Sequence, residues 1–529
     1  MSRPVATRSV AITISMYRTV REQIGRTLRP VTRHIPGLRA AAQLIVRSPG
    51  PGLRLLLDAR STSQIQSQPD VYPFAAYLGQ RFECSHAIVF GHPTAKNLIQ
   101  LYPQFEIIGF VSELDVQAYR DRYGFGAWFA EYGNSPLAVS LPENILKRAV
   151  IVCTGVIEQL TIPEQFFANL RRWLDHAPVC ILTTPDRSFN GEGGNGSAAS
   201  HEGRWNQVEL EQLLRTEGFN VEFIGLTASD SAAYEKKTIM AVITNNIAAK
   251  SSEPEAPRDF RVVAFMAAYN EADIIVQSIR KWTDQGVNVH VLENWSTDAT
   301  YDLVKQLESQ LPVTVERFPR AGPSPYFDWG AMLARIEELC GEIEADWFVR
   351  RGADEVLRSP WPSLSYKDGL YRIDQAGFNC VDHTIVEFHP VDDSFEAGMD
   401  HESYFKYFDF KHLSHPFQRK AWKNYGQPIS TIPSAGHDVI FAGRRVYPFK
   451  FLVKHYSFRS QTHGEKKVFR ERKARWNPRE RARGWHVHYD AMKEGHQFVR
   501  TTSEKELFEE RDFNKTYLVE RLSGIGVNR

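Results

Sequence analysis

The sequence predicts an α/β protein with two open parallel sheets in succession, and three observations lead there. Residues 80–246 alternate short apolar runs with amphipathic helical stretches, the pattern of strands joined by crossover helices. Residues 247–260, with two prolines among small and charged residues, read as a linker, after which the same alternation restarts at Arg261. The length of 529 residues also exceeds the ~250–300 at which one hydrophobic core stops growing. The expected organisation is a basic helical region at 1–79, a Rossmann-like domain at 80–246, the linker, and a second Rossmann-like domain at 261–529 with a basic helical C-terminal region.

Formal net charge is +1, with 42% apolar and 24% charged residues, so no global signature for binding a polyanion exists. Five cysteines, Cys84, Cys153, Cys180, Cys340 and Cys380, are scattered without a Cys-x-x-Cys pair, which points to a reducing compartment. No apolar run reaches the ~18 residues of a membrane span. Residues 1–60 are arginine-rich and lack the apolar core of a signal peptide. They read either as a solvated arm or as a helix lying on an anionic surface. The expected location is the cytoplasm, with peripheral contact to the inner face of the membrane left open.

In the first domain, strands are expected at Ala87–Phe90, Glu106–Val111, Ala149–Cys153, Val179–Thr183 and Val221–Leu226, with Thr238–Thr244 as a last antiparallel strand. The run Val150 to Leu160, then Thr183-Thr-Pro-Asp-Arg187, and His201, Arg204, Trp205, Glu209, Leu210, Gly218 and Phe219 resemble the second half of class I S-adenosylmethionine-dependent methyltransferases. The resemblance implies S-adenosylmethionine (SAM) as cofactor. The turn that would cradle it, Phe90-Gly-His-Pro-Thr-Ala95, has one glycine and a proline, and the second strand ends in Val111-Ser112 with no acid for the ribose until Glu113. Two readings stand: a domain that keeps the fold without methyl transfer, and an active methyltransferase with an unusual cofactor loop.

In the second domain a strand at Arg261–Ala268 runs into Tyr269-Asn270-Glu271, followed by a helix with an apolar stripe at Ile274, Ile275, Ile279 and Trp282 that Gly286 is placed to end. A strand at Val287–Leu292 leads to Glu293-Asn294-Trp-Ser-Thr-Asp298, where Ser296 or Thr297 can cap the next helix. A strand at Val313–Phe318, a helix at Asp328–Ile343 and a strand at Trp347–Val349 then bring the chain to Asp354-Glu355. Three polar motifs thus end three of these four strands, at the carboxyl edge where open α/β sheets bind ligands. Together they resemble the nucleotide-sugar half of family 2 GT-A glycosyltransferases. The resemblance implies that Ala268, Tyr269, Asn270, Glu271, Glu293 and Asn294 meet a base and ribose, and that Asp354 holds Mg²⁺ or Mn²⁺ on a diphosphate, with Glu355 beside it. Gly352 stands where an Asp-x-Asp pattern has its first acid, and Glu293 where an aspartate is common; the longer side chain must fold back.

Beyond the acidic loop, Asp392, Asp393 and Glu402 are candidates for the base that takes the acceptor proton. The strand Phe449–Val453 ending in Lys454-His455 resembles the late strand that delivers an imidazole metal ligand, with His455 favoured and His437 the alternative. Lys466 to Arg483 form a basic, aromatic, helix-like run, suited either to phosphate oxygens or to a solvated face with internal ion pairs. No base-reading motif accompanies it, so no nucleic-acid partner is expected. The expected activity is metal-assisted, inverting transfer of a sugar from a nucleotide diphosphate sugar to a hydroxyl on a glycan or lipid-linked acceptor, as in surface polysaccharide synthesis. The alternatives are methyl transfer by the first domain and an inactive scaffold in a glycan-assembly complex.

Overall fold

The computed structural model describes residues 68–130, 141–189, 204–228, 235–245, 255–410 and 417–523. The basic arm up to residue 67, most of the expected linker, and His201 lie outside the described residues. The strands in chain order are β1 His86–Gly91, β2 Glu106–Val111, β3 Ala127–Ala130, β4 Ala149–Thr154, β5 Val179–Pro185, β6 Asn220–Thr227, β7 Thr238–Thr244, β8 Val262–Ala268, β9 Asn288–Glu293, β10 Val313–Arg317, β11 Trp347–Gly352, β12 Glu355–Arg358, β13 Cys380–Val381, β14 His383–His389, β15 Tyr407–Phe410, β16 Ala421–Lys423, β17 Phe451–His455 and β18 Glu506–Leu507. They form three sheets of order β3-β2-β1-β4-β5-β7-β6, β10-β9-β8-β11-β16-β13 and β12-β17-β14-β15-β18.

The first sheet is parallel except for β7, which runs antiparallel between β5 and β6. Burial on both faces explains the near-continuous apolar strands: every residue of β4, β5 and β7 is buried. In the second sheet β10, β9, β8 and β11 are parallel, and the short β16 and β13 close one side. The helix Ile275–Asp284 buries Ile275, Ser278, Ile279 and Trp282 at helical spacing, and it ends in a turn where Gly286 takes φ +75. The expected cap at Ser296 or Thr297 is replaced: Asp298 Oδ1 accepts from the Thr300 amide at 2.9 Å, and Ser296 and Thr297 are turned to Asn270.

The third sheet was not anticipated as a separate layer. The chain leaves the second sheet at the end of β11 and enters the third at the start of β12, and Ala353-Asp354 is the corner between them. The sheets share one apolar cluster, in which Phe223 of β6 stacks on Trp361 and meets Phe449 edge-on at 4.8 Å. Glu222 beside it accepts from Arg372 (2.9 Å), Trp361 (3.2 Å) and Tyr447 (3.2 Å). The helix Leu518–Ser523 is fully buried, and Lys236 pairs with its Glu520 at 3.0 Å. No helix among the described residues is long and apolar enough to cross a membrane.

Candidate active site

The pairing registers bring the three motif loops together. Ala268 lies opposite Glu293, and Gly352 opposite Ala267, so the loops after β8, β9 and β11 emerge side by side from the carboxyl edge of the second sheet. The first two are tied to each other. Asn270 takes φ +54, a left-handed conformation that asparagine tolerates better than most residues. Its amide donates to Ser296 Oγ at 2.9 Å, and its Oδ1 accepts from the Thr297 amide at 2.8 Å. Glu293 does fold back: its fully buried carboxylate accepts from the amides of Trp295 (3.2 Å) and Ser296 (2.5 Å) and shapes the loop. Ala268 is buried and its carbonyl accepts from the Asn294 amide at 2.9 Å.

The basic run lies across this edge, although not as one helix. It is a π-helix at Lys466–Arg472, a 3₁₀ turn at Lys473–Arg475 and a short α-helix at Pro478–Ala482. Residues four apart share one helix face. Lys467, Glu471 and Arg475 follow that spacing, and each reaches a motif loop. Glu471 accepts from Asn270 Nδ2 at 2.6 Å. Arg475 lies 3.9 Å over the Tyr269 ring and donates to Asn294 Oδ1 at 2.8 Å. Lys467 Nζ stands 2.7 Å from Asp354 Oδ2 and 3.3 Å from Glu271 Oε1. Behind it the buried Arg459 grips Glu271 at 2.7 Å and Asp273 at 2.8 Å.

Opposite Lys467, His455 ends β17 between β12 and β14. Its Nε2 lies 3.6 Å from Asp354 Oδ2 and its Nδ1 2.6 Å from Glu387 Oε2. Burial pushes the Asp354 carboxyl up, but Lys467 and His455 outweigh it and hold the group well below the ordinary carboxylate range. Burial likewise pulls Lys467 down, and Asp354 and Glu271 more than compensate, so its ammonium is held above the usual value. At Gly352 an added Cβ would stand 2.7 Å from Asp354 Oδ1, so a side chain there would have to displace that carboxylate.

Several expected site residues lie elsewhere. Glu355 turns away from the edge to the Gly352 amide (2.6 Å) and Arg351 (3.3 Å). His437 meets Gln418, and its amide bonds Ser434, in a separate loop. Glu402 is enclosed by Arg358 (2.6 Å), Lys281 (2.9 Å) and Lys454 (3.0 Å). Burial raises its carboxyl, and these cations bring it down to about 2, which makes it a poor proton acceptor. Asp392 is exposed and accepts from the Ser394 amide and Tyr404 hydroxyl, whereas Asp393 caps the Gln461 amide at 2.5 Å, at the start of the segment leading to Lys467. The sequence reading assigned no role to Glu387, at the end of an alternating strand, or to Arg459; the spacing of 467, 471 and 475 was visible but was read only as charge.

Of the expected ligands Asp354 and His455 come together, but Glu355 is turned elsewhere, the alternative His437 lies in another loop, and an ammonium already sits on Asp354, so these residues do not fit Mg²⁺ or Mn²⁺. A +2 ion and a +1 ammonium held ~4 Å apart repel by about 8 kcal/mol at an effective dielectric of ~20. Among the described residues, no group of three or more His, Cys, Asp or Glu side chains is arranged to hold a metal.

In the first sheet, the turn after β1 is closely packed. Gly91 takes φ +102, and an added Cβ would stand 2.2 Å from the Thr154 carbonyl, so the turn after β1 lies against the end of β4. Tyr72 reaches the same place and hydrogen-bonds Thr154 Oγ1 at 3.1 Å. The order β3-β2-β1-β4-β5-β7-β6, with β7 reversed, is nevertheless the open sheet that the sequence resemblance implied. The first sheet is a methyltransferase-like fold.

No protein-family model matches this chain, and no curated protein does. Among solved structures, a TehB-like SAM-dependent methyltransferase from Corynebacterium glutamicum is similar over 33% of this chain and 89% of its own, at 12% identity and a TM-score of 0.24. A SAM-dependent methyltransferase from Aquifex aeolicus is similar over 37% of this chain and 98% of its own, at 12% identity and a TM-score of 0.25. TarS of S. aureus is similar over 38% of this chain and 36% of its own, at 11% identity and a TM-score of 0.22. Scores this low decide neither fold nor activity, and the strand order carries the assignment.

Proposed function

We propose that the chain is a glycosyltransferase that moves a sugar from a nucleotide diphosphate sugar to a hydroxyl acceptor, at the carboxyl edge of the second sheet. One observation carries this reading: the loops bearing Tyr269–Glu271, Glu293–Asn294 and Asp354 converge there and are bridged by the basic segment at 467–475. In this reading the Tyr269 ring and Asn294 meet the nucleoside, and Arg475 orders both. The Glu387–His455 pair takes the acceptor proton, the carboxylate orienting the ring through Nδ1. Inversion, a glycan or lipid-linked acceptor and peripheral membrane contact are carried over from the resemblance and the basic segments. A donor-hydrolysis screen across UDP-, GDP- and dTDP-sugars tests the reading. Hydrolysis of one donor, lost in Asp354→Asn with the fold retained, is expected; hydrolysis that survives this substitution overturns the assignment.

A second reading, methyl transfer in the first sheet, has its own support in the strand order. Glu158 adds a local observation. It follows β4, burial raises its carboxyl to about 7, and Thr184 donates to it at 3.2 Å, as befits an acid or base at a strand's carboxyl end. Calorimetry with S-adenosylmethionine separates the two: saturable heat establishes a cofactor site in the first sheet, and no heat leaves that sheet structural.

A further inference from the structure

We propose that the Lys467 ammonium is the built-in counter-ion of the donor diphosphate and fills the place of a divalent cation, so that this site binds and turns over its donor without metal. The inference rests on the glycosyltransferase reading and deepens it.

Three features carry it. Lys467 is 3% exposed and lies between Asp354, at the corner joining the second and third sheets, and Glu271, from the loop after β8. These are the oxygens a bridging dication would need from this edge, and the ammonium already engages both. Arg459, 1% exposed, pairs with Glu271 and Asp273 from behind, so Glu271 is held toward Lys467 before a ligand arrives. Finally, an ammonium has three N–H donors, and only one of them is committed to a hydrogen bond here, to Asp354 Oδ2, so donors remain for a phosphate oxygen. Lysine is a competent point-charge partner for phosphate.

In the transfer, the acceptor oxygen forms its bond to the anomeric carbon as the bond from that carbon to the diphosphate oxygen breaks. The bonding pair stays on the departing oxygen, where Lys467 donates a hydrogen bond without giving up its proton. The acceptor proton passes to the Glu387–His455 pair. Charges balance with no co-reactant.

The test compares binding of UDP, GDP and dTDP to the whole protein by calorimetry in excess EDTA and in excess Mn²⁺. One nucleotide is expected to bind equally in both conditions, and Mn²⁺ alone to give no saturable heat. Lys467→Ala should weaken that nucleotide at least ~10-fold in EDTA. Lys467→Arg should keep metal-independent binding. If Lys467→Ala does not fold, the wild-type comparison still decides. Wild-type nucleotide binding that requires Mn²⁺ overturns the inference and leaves the glycosyltransferase reading standing. If no nucleotide binds in either condition, that reading fails and the inference falls with it.

Discussion

At the residue scale, one carboxylate can serve stability or chemistry according to the charges around it. Glu402 serves stability. Its folded carboxyl sits at about 2 against an ordinary 4.5, so its contribution is complete above pH 4.5 and fades as pH falls toward 2. At ~1.4 kcal/mol per unit the shift amounts to about 3 kcal/mol. Glu402→Gln should lower stability by roughly this amount at neutral pH and match wild type near pH 2, as urea denaturation across the acid range would record. A constant difference down to pH 2 would contradict the assignment. Asp354 belongs to the chemistry as well. Asp354→Asn leaves Lys467 paired only with Glu271 and should cost about 3 kcal/mol or less while removing donor turnover. The sequence marked Asp354 and Asn270 as strand-end residues and the fold-back of Glu293 as a contact within its own loop, although the partners Lys467 of Asp354 and Glu471 of Asn270 are far away in the chain. It did not reveal that Glu402 faces Lys281, Arg358 and Lys454, which come from three separate elements.

At the scale of elements, apolar runs marked the long buried strands of the first two sheets to within a few residues, since buried parallel strands are apolar on both faces, but not three-residue β16. Four-residue β3 lies at an edge with two exposed residues, so it left no such run. The basic run was read as helix-like, but Trp476 is extended and Pro478 starts a new helix, which breaks it. The turn after β1 offers a direct test. Gly91→Ala combines an unfavourable positive φ with an overlap on backbone that cannot rotate away, and it should destabilise by more than ~2 kcal/mol. A thermal melt shows this; an unchanged midpoint would mean that the turn does not pack against the Thr154 carbonyl as described.

For the whole molecule, the contacts among Phe223, Trp361, Phe449 and Glu222 join the first sheet to the other two through shared core rather than a wet seam. A single calorimetric transition is therefore expected. Trp361→Ala should remove about 3–5 kcal/mol and shift that transition as a unit. Two resolved transitions in the wild type would show that the halves unfold independently.

The sequence by itself determined the strands, the three polar loops that follow them and the edge where those loops emerge, because strand burial and the strand-end rule are short-range properties of the chain. Only the tertiary structure decided which charges meet. Lys467 and Asp354 are 113 residues apart, Arg459 and Glu271 188, and His455 and Glu387 68. Nothing in local periodicity encodes such pairings; they follow from how the third sheet and the basic segment fold back over the second, and the same fold places an ammonium where the sequence suggested a metal.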